Sequence, residues 1–111
     1  MYKVLVFAGT TEGYEICRFL ADHKIETKGF VATEYGSKSL TESEFLTVQT
    51  GRLDAAAMEE IFLQEKPEMV LDATHPYAAE VTVNIRTACE NTQTAYYRVL
   101  REAGEHEDRA V

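Results

Sequence analysis

No apolar run in this sequence approaches the roughly 20 residues that a membrane-spanning helix requires, so these residues are not expected to form one. Positive charge is scarce as well: 11 Lys and Arg stand against 19 Asp and Glu, a formal net charge of −8. A duplex-binding surface needs the opposite balance, so nucleic acid is not expected as a partner, and an anionic lipid surface is disfavoured for the same reason. Cysteine is limited to Cys17 and Cys89, far apart and without a CxxC pattern. Two buried, reduced thiols are expected rather than a disulfide framework or a metal site. There is no internal repeat, no Ser-His-Asp or Cys-His nucleophile constellation, and no metal-ligand order in the acidic run Glu102, Glu105, Glu107 and Asp108. The first residues show no signal-peptide cleavage pattern, and the expected location is the cytoplasm.

What is present is a hydrophobic fraction of 45% in 111 residues, enough for one globular domain with a real core. Residues 3–8 are a continuous apolar run of strand length, as in a central parallel strand covered on both faces. A helix is expected near 12–23, capped by Thr10 or Thr11, with Ile16, Cys17, Phe19 and Leu20 on one face. A second strand is expected at 26–33, then a polar segment over 34–44, then a third strand from Phe45 to Gln49. Asp54 reads as the cap of a helix over 55–65, stopped by Pro67. A fourth strand at 68–73 is followed by a helix to about residue 91, with Pro76 in its first turn and Thr74 or His75 as its cap. A fifth strand at 95–100 completes the domain over 1–101, leaving 102–111 as a polar tail or linker. Strands alternating with helices imply an α/β Rossmann-like three-layer fold: a five-stranded parallel sheet, order 3-2-1-4-5, with helices on both faces.

In such sheets the chemistry lies at the carboxyl ends of the strands where the order reverses, here strands one and four. The turn Gly9-Thr10-Thr11-Glu12-Gly13 sits at one of them. Gly9 is expected to take a backbone conformation closed to other residues, and Thr10 and Thr11 to offer hydroxyls and amides to a phosphate. The same features would serve any strand-to-helix turn, since an imperfect G-x-G-x-x-G is a weak motif. Beyond strand two, Glu34 would bind a ribose 2′-hydroxyl, whereas Thr33 in that place, with Lys38 and Arg52, would suit a 2′-phosphate. NADH and NADPH both stay open. The second turn, Asp72-Ala73-Thr74-His75-Pro76-Tyr77, lies across the crevice from Gly9. His75 could donate a hydrogen bond to an anionic ligand or act as an acid, or His75 and Thr74 could simply cap the next helix. No residue is identified as catalytic.

Gly9-Thr10-Thr11-Glu12-Gly13, Thr50-Gly51-Arg52-Leu53, Asp72-Ala73-Thr74-His75-Pro76-Tyr77-Ala78 and Tyr96-Tyr97-Arg98 occur in an order and spacing that resembles the precorrin-6A reductases of cobalamin biosynthesis. The resemblance covers residues 3 to about 101, and its Asp-Ala-Thr-His-Pro-Tyr block is the specific part. It implies hydride transfer from NADPH or NADH to a double bond of precorrin-6A or cobalt-precorrin-6A, the nucleotide carrying the hard chemistry. It further implies that Gly9 to Gly13 hold the pyrophosphate and that Thr33, Tyr35 and Gly36 border the adenosine. Gly51, Arg52, Thr74 and His75 would complete the cofactor site, with Arg52, His75, Pro76 and Tyr77 toward the acidic macrocycle. Family members are about twice this length, so a C-terminal domain or partner chain is expected to supply the rest of the site, and a homodimer is a further expectation. Ala8 and Tyr14 stand where the family often has Gly and Arg. Two other readings keep the fold: a non-catalytic nucleotide-binding or interaction module, and another oxidoreductase using a Tyr-x-x-x-Lys acid/base, which the sequence does not contain.

Overall fold

The structure is a computed structural model that describes residues 2–33, 38 and 40–100. Strand β1 (Val4–Ala8) is buried along its whole length because both of its faces are covered. Val4, Val6 and Ala8 point to one side, where helix α1 (Thr11–Asp22) packs through Cys17. Leu5 and Phe7 point to the other, where α2 (Ala55–Glu65) contributes Met58 and Phe62, and α3 (Ala79–Thr92) contributes Ile85, Ala88 and Cys89. The period-two alternation of a strand thus divides the core into two halves, one on each side of the sheet. Strands β2 (Thr27–Val31), β3 (Leu46–Thr50), β4 (Met69–Ala73) and β5 (Tyr96–Arg98) complete it. All pairings are parallel and the order is β3-β2-β1-β4-β5, as expected from the sequence. On the α2/α3 side the rings of Phe7 and Phe30 stack at 4.6 Å, with Phe62 edge-on to Phe7.

Two helix caps follow the sequence reading. Thr10 accepts from the Gly13 N–H, and Asp54 Oδ1 accepts from the Ala57 N–H at 2.8 Å. Before Pro67, α2 ends on Lys66 in the left-handed region (φ 49°). The third helix departs from expectation. Neither Thr74 nor His75 caps it; the chain first makes a β-turn in which the Ala78 N–H donates to the His75 carbonyl at 2.9 Å, with Pro76 at the second position. Thr74 is unavailable as a cap because its hydroxyl is drawn to Asp72. Strand β2 also stops two residues early, at Val31, where its pairing with β1 has run out and the Gly51 N–H takes the Val31 carbonyl. Strands β3, β4 and β5 likewise differ from expectation by one or two residues at their ends. The polar tail lies outside the described residues, as does most of segment 34–39. Among the described residues no helix is long and apolar enough to cross a membrane.

Both thiols are buried within this core. Burial pushes each up to about 12, opposed at Cys17 by nearby Arg18 and reinforced at Cys89 by the Asp72 charge. Native protein at pH 8 is therefore expected to be inert to an aromatic disulfide reagent, with both cysteines reacting only after urea is added. Rapid labelling without denaturant would contradict this packing.

Candidate functional site

The strand order reverses between β1 and β4, so the turns that leave them diverge and open a crevice. Two cavities meet there. The larger, about 910 Å³, runs over the ends of β1, β2 and β3; the smaller, about 700 Å³, lies toward β4 and β5. Gly9, Tyr14, Thr74, His75 and Tyr77 line both. Each has the size of a cofactor or small-ligand site.

The β1 turn is built by α1. Its first-turn amides have no acceptor within the helix, and Thr10, Thr11 and Glu12 line the smaller cavity. The Thr10 hydroxyl accepts from the Gly13 N–H at 3.2 Å and donates to the Ala73 carbonyl at 2.8 Å. It fastens the helix start to β4 rather than standing free for a phosphate. Gly9 corrects the sequence expectation too. Its φ lies outside the positive region, and a Cβ added there would meet Thr74 Cα at 3.6 Å and His75 N at 3.7 Å, ordinary contacts. Its lack of a side chain keeps the space between the two turns open. Gly13 lines neither cavity; a Cβ there would come within 2.9 Å of Ala8 Cα and 3.1 Å of Ala73 Cβ. It lets α1 sit directly on β1 and β4, which is the third glycine's task in dinucleotide folds.

The β4 turn is held by Asp72, a carboxylate with no exposed surface. Oδ1 accepts from the Thr74 N–H (3.1 Å), the Thr74 hydroxyl (2.7 Å) and Arg98 Nη1 (3.0 Å). Oδ2 accepts from the Thr82 hydroxyl (2.8 Å) and the Tyr96 hydroxyl (2.9 Å). Burial pushes this carboxyl up, but the hydrogen bonds from Thr74, Thr82 and Tyr96 outweigh it and hold the group below its ordinary value. Burial and the Asp72 carboxylate conversely raise the Tyr96 hydroxyl. One buried anion therefore joins β4, its turn, α3 and β5. On the turn itself, His75 Nδ1 accepts from the Tyr77 N–H at 3.2 Å, which leaves the proton of the neutral ring on Nε2. The two rings lie 4.9 Å apart, and Tyr77 is 90% exposed.

Thr33, Gly51 and Arg52 line the larger cavity, and Pro76 the smaller. Among the described residues, Gly51, with φ 127°, is the glycine whose backbone excludes other residues. Lys38 lines neither cavity, while Glu34, Tyr35 and Gly36 lie outside the described residues. Sequence reasoning missed Tyr14 as a lining residue, and Thr82, Tyr96 and Arg98 as the partners of Asp72. A signal existed for the last: Asp72 and Arg98 are charged residues inside apolar strands, and they fall opposite each other in the β4–β5 register.

These features define an α/β protein with a Rossmann-like sheet and a ligand-sized crevice at its switch point. The chain belongs to the family described as Precorrin-6x reductase CbiJ/CobK, whose model matches residues 3–111. It is 34% identical over 100 residues to the cobalt-precorrin-6A reductase of Methanothermobacter thermautotrophicus, covering 89% of this chain and 33% of that one. The solved structure of CobK precorrin-6A reductase superposes with a TM-score of 0.76 at 30% identity, covering 91% of this chain and 39% of that one. The Bordetella bronchiseptica enzyme WbmH, solved with NAD+, shares the fold at a TM-score of 0.65 and 18% identity, over 85% of this chain and 36% of its own. The chain thus spans between a third and two fifths of the length of these relatives.

Proposed function

We propose that this chain is the nucleotide-binding part of a reductase that transfers hydride from NADPH to precorrin-6A or cobalt-precorrin-6A. The observation that carries the reading is the crevice in which the Gly9–Glu12 turn faces the Thr74–Tyr77 turn. The residues there suit a dinucleotide. Gly9 keeps the approach between the two turns free of side chain, and the first-turn amides and dipole of α1 favour a pyrophosphate. When bound, the reduced nicotinamide supplies the hydride. Thr33, with Tyr35 and Gly36, would border the adenosine, and Gly51 would let Arg52 reach a ribose 2′-phosphate with its permanently charged fork, which favours NADPH over NADH. Thr74, pinned by Asp72, would set the floor between the two turns. His75, presenting Nε2–H, would donate to an acidic group of the substrate, with Pro76 and Tyr77 against its apolar surface.

A macrocycle is too large for one crevice, and the relatives carry far more chain than this one. A further domain or partner chain would close the site over residues 1–101. The test is oxidation of NADPH in the presence of precorrin-6A or its cobalt form. It would use this chain alone and the same chain fused to the remaining part of the Methanothermobacter relative. Turnover by the fusion supports the reading; none by either, with the relative itself active, contradicts it.

A further inference from the structure

Arg98 spends only one of its two terminal nitrogens on the protein. Nη1 reaches Asp72 Oδ1 at 3.0 Å, the Asp72 carbonyl at 3.1 Å, the Thr74 carbonyl at 3.0 Å and the Thr74 hydroxyl at 3.3 Å. The N–H groups on Nη2 and Nε have no partner among the described residues. Arg–carboxylate pairs frequently close with both arms of the fork. Here the carboxylate is already filled: Thr74 shares Oδ1, and Thr82 and Tyr96 occupy Oδ2. The second arm is left over. The Arg98 side chain is 22% exposed, and the residue lines the smaller cavity opposite the start of α1.

We propose that Arg98 is an oxyanion receptor at the β5 end of this crevice, its Nη2/Nε edge taking a carboxylate or phosphate oxygen pair from the bound ligand. The cage around Nη1 fixes the plane of the guanidinium before the ligand arrives, so little side-chain freedom is lost on binding. Receptor and oxyanion meet at the β5 wall, where Arg98 lines the cavity. The assignment depends on the crevice being the ligand site of the proposed reductase. The oxyanion has two sources, a phosphate of the nucleotide or an acidic side chain of the substrate.

The discriminating variant is Arg98→Lys. A single ammonium can replace Nη1 beside Asp72, Thr74 and their carbonyls, but it has no second edge to offer. Isotope-labelled protein would be titrated with sodium pyrophosphate, with citrate and with NADPH, following the Arg98 Nε–H resonance and the Gly9 and Thr11 amides separately. A saturable Arg98 shift with pyrophosphate assigns the phosphate source, and one with citrate the carboxylate source. In either case Arg98→Lys, melting within a few degrees of wild type, is expected to bind that probe about tenfold more weakly. An Arg98 resonance unmoved by both probes, or equal affinity in Arg98→Lys, overturns the proposal. Gly9 and Thr11 amides unmoved by NADPH would count against the nucleotide reading alone, because the Arg98 response is scored on its own.

Discussion

Replacing Asp72 by Ala is expected to remove about 3–5 kcal/mol of stability, a large share of the roughly 5–15 kcal/mol that holds a domain of this kind. The loss is large because four side chains converge on one buried anion. Without it, the hydroxyls of Thr74, Thr82 and Tyr96 lose their acceptor and Arg98 its counter-charge. Asp72→Asn keeps the volume and loses less, since the hydroxyls can turn to accept from the new amide. The charge has its own signature. The carboxyl is held below its ordinary value of 3.8, so its contribution is complete above that pH and disappears as pH falls through the lower folded-state value. The difference in urea midpoint between wild type and Asp72→Asn is therefore expected to be flat from neutrality to about pH 5 and to shrink below ~4. An Asp72→Ala protein within 1 kcal/mol of wild type, or a difference constant into strong acid, would show that the network is not what joins β4, α3 and β5.

Gly13→Val is the second large effect, with an expected loss of about 3 kcal/mol in denaturant titration. Helix propensity argues the other way, because Gly is the poorer helix former by about 1 kcal/mol relative to Ala. Sterics decide the sign. A Cβ at 2.9 Å from Ala8 Cα, 3.0 Å from Ala8 Cβ and 3.1 Å from Ala73 Cβ meets backbone and short side chains that cannot swing away. Helix α1 must lift from the sheet, taking its cap and the crevice wall with it. Gly13→Ala carries the same clash against a propensity gain and falls between the two. Gly9→Ala is the internal control, with a Cβ in ordinary contact at 3.6 and 3.7 Å and a stability within ~0.5 kcal/mol of wild type. Equal stability of the Gly13 and Gly9 variants would contradict the close approach of α1.

Much of the sheet was legible in the chain because its signals are local. Residues 4–8 and 69–71 are short apolar runs, and Thr10 and Asp54 are caps with apolar helical spacing behind them. The start of α3 was not legible. Thr74 has the chemistry of a cap, and its diversion to Asp72 depends on Thr82, Tyr96 and Arg98, up to 26 positions along the chain. Glycines show the same division. Position and residue type single out Gly9, Gly13 and Gly51 equally, yet close packing, an open approach and a positive φ are three different reasons, separable only in three dimensions. For the site, sequence placed the two turns on one crevice. The commitment of the Thr10 hydroxyl to Ala73 and the free edge of Arg98 are questions of which hydrogen bonds are already made, and spacing carries no record of that.

A nicotinamide dinucleotide is proposed to bind in the crevice between Gly9 and Thr74. The most direct test is a calorimetric titration of the 111-residue chain with NADPH and then NADH, repeated on Gly9→Val after its melting temperature has been matched to wild type. Saturable binding at one site, tighter for NADPH and lost in the valine variant, is the predicted result. Heat indistinguishable from dilution for both nucleotides, or binding that the valine leaves unchanged, would contradict the claim.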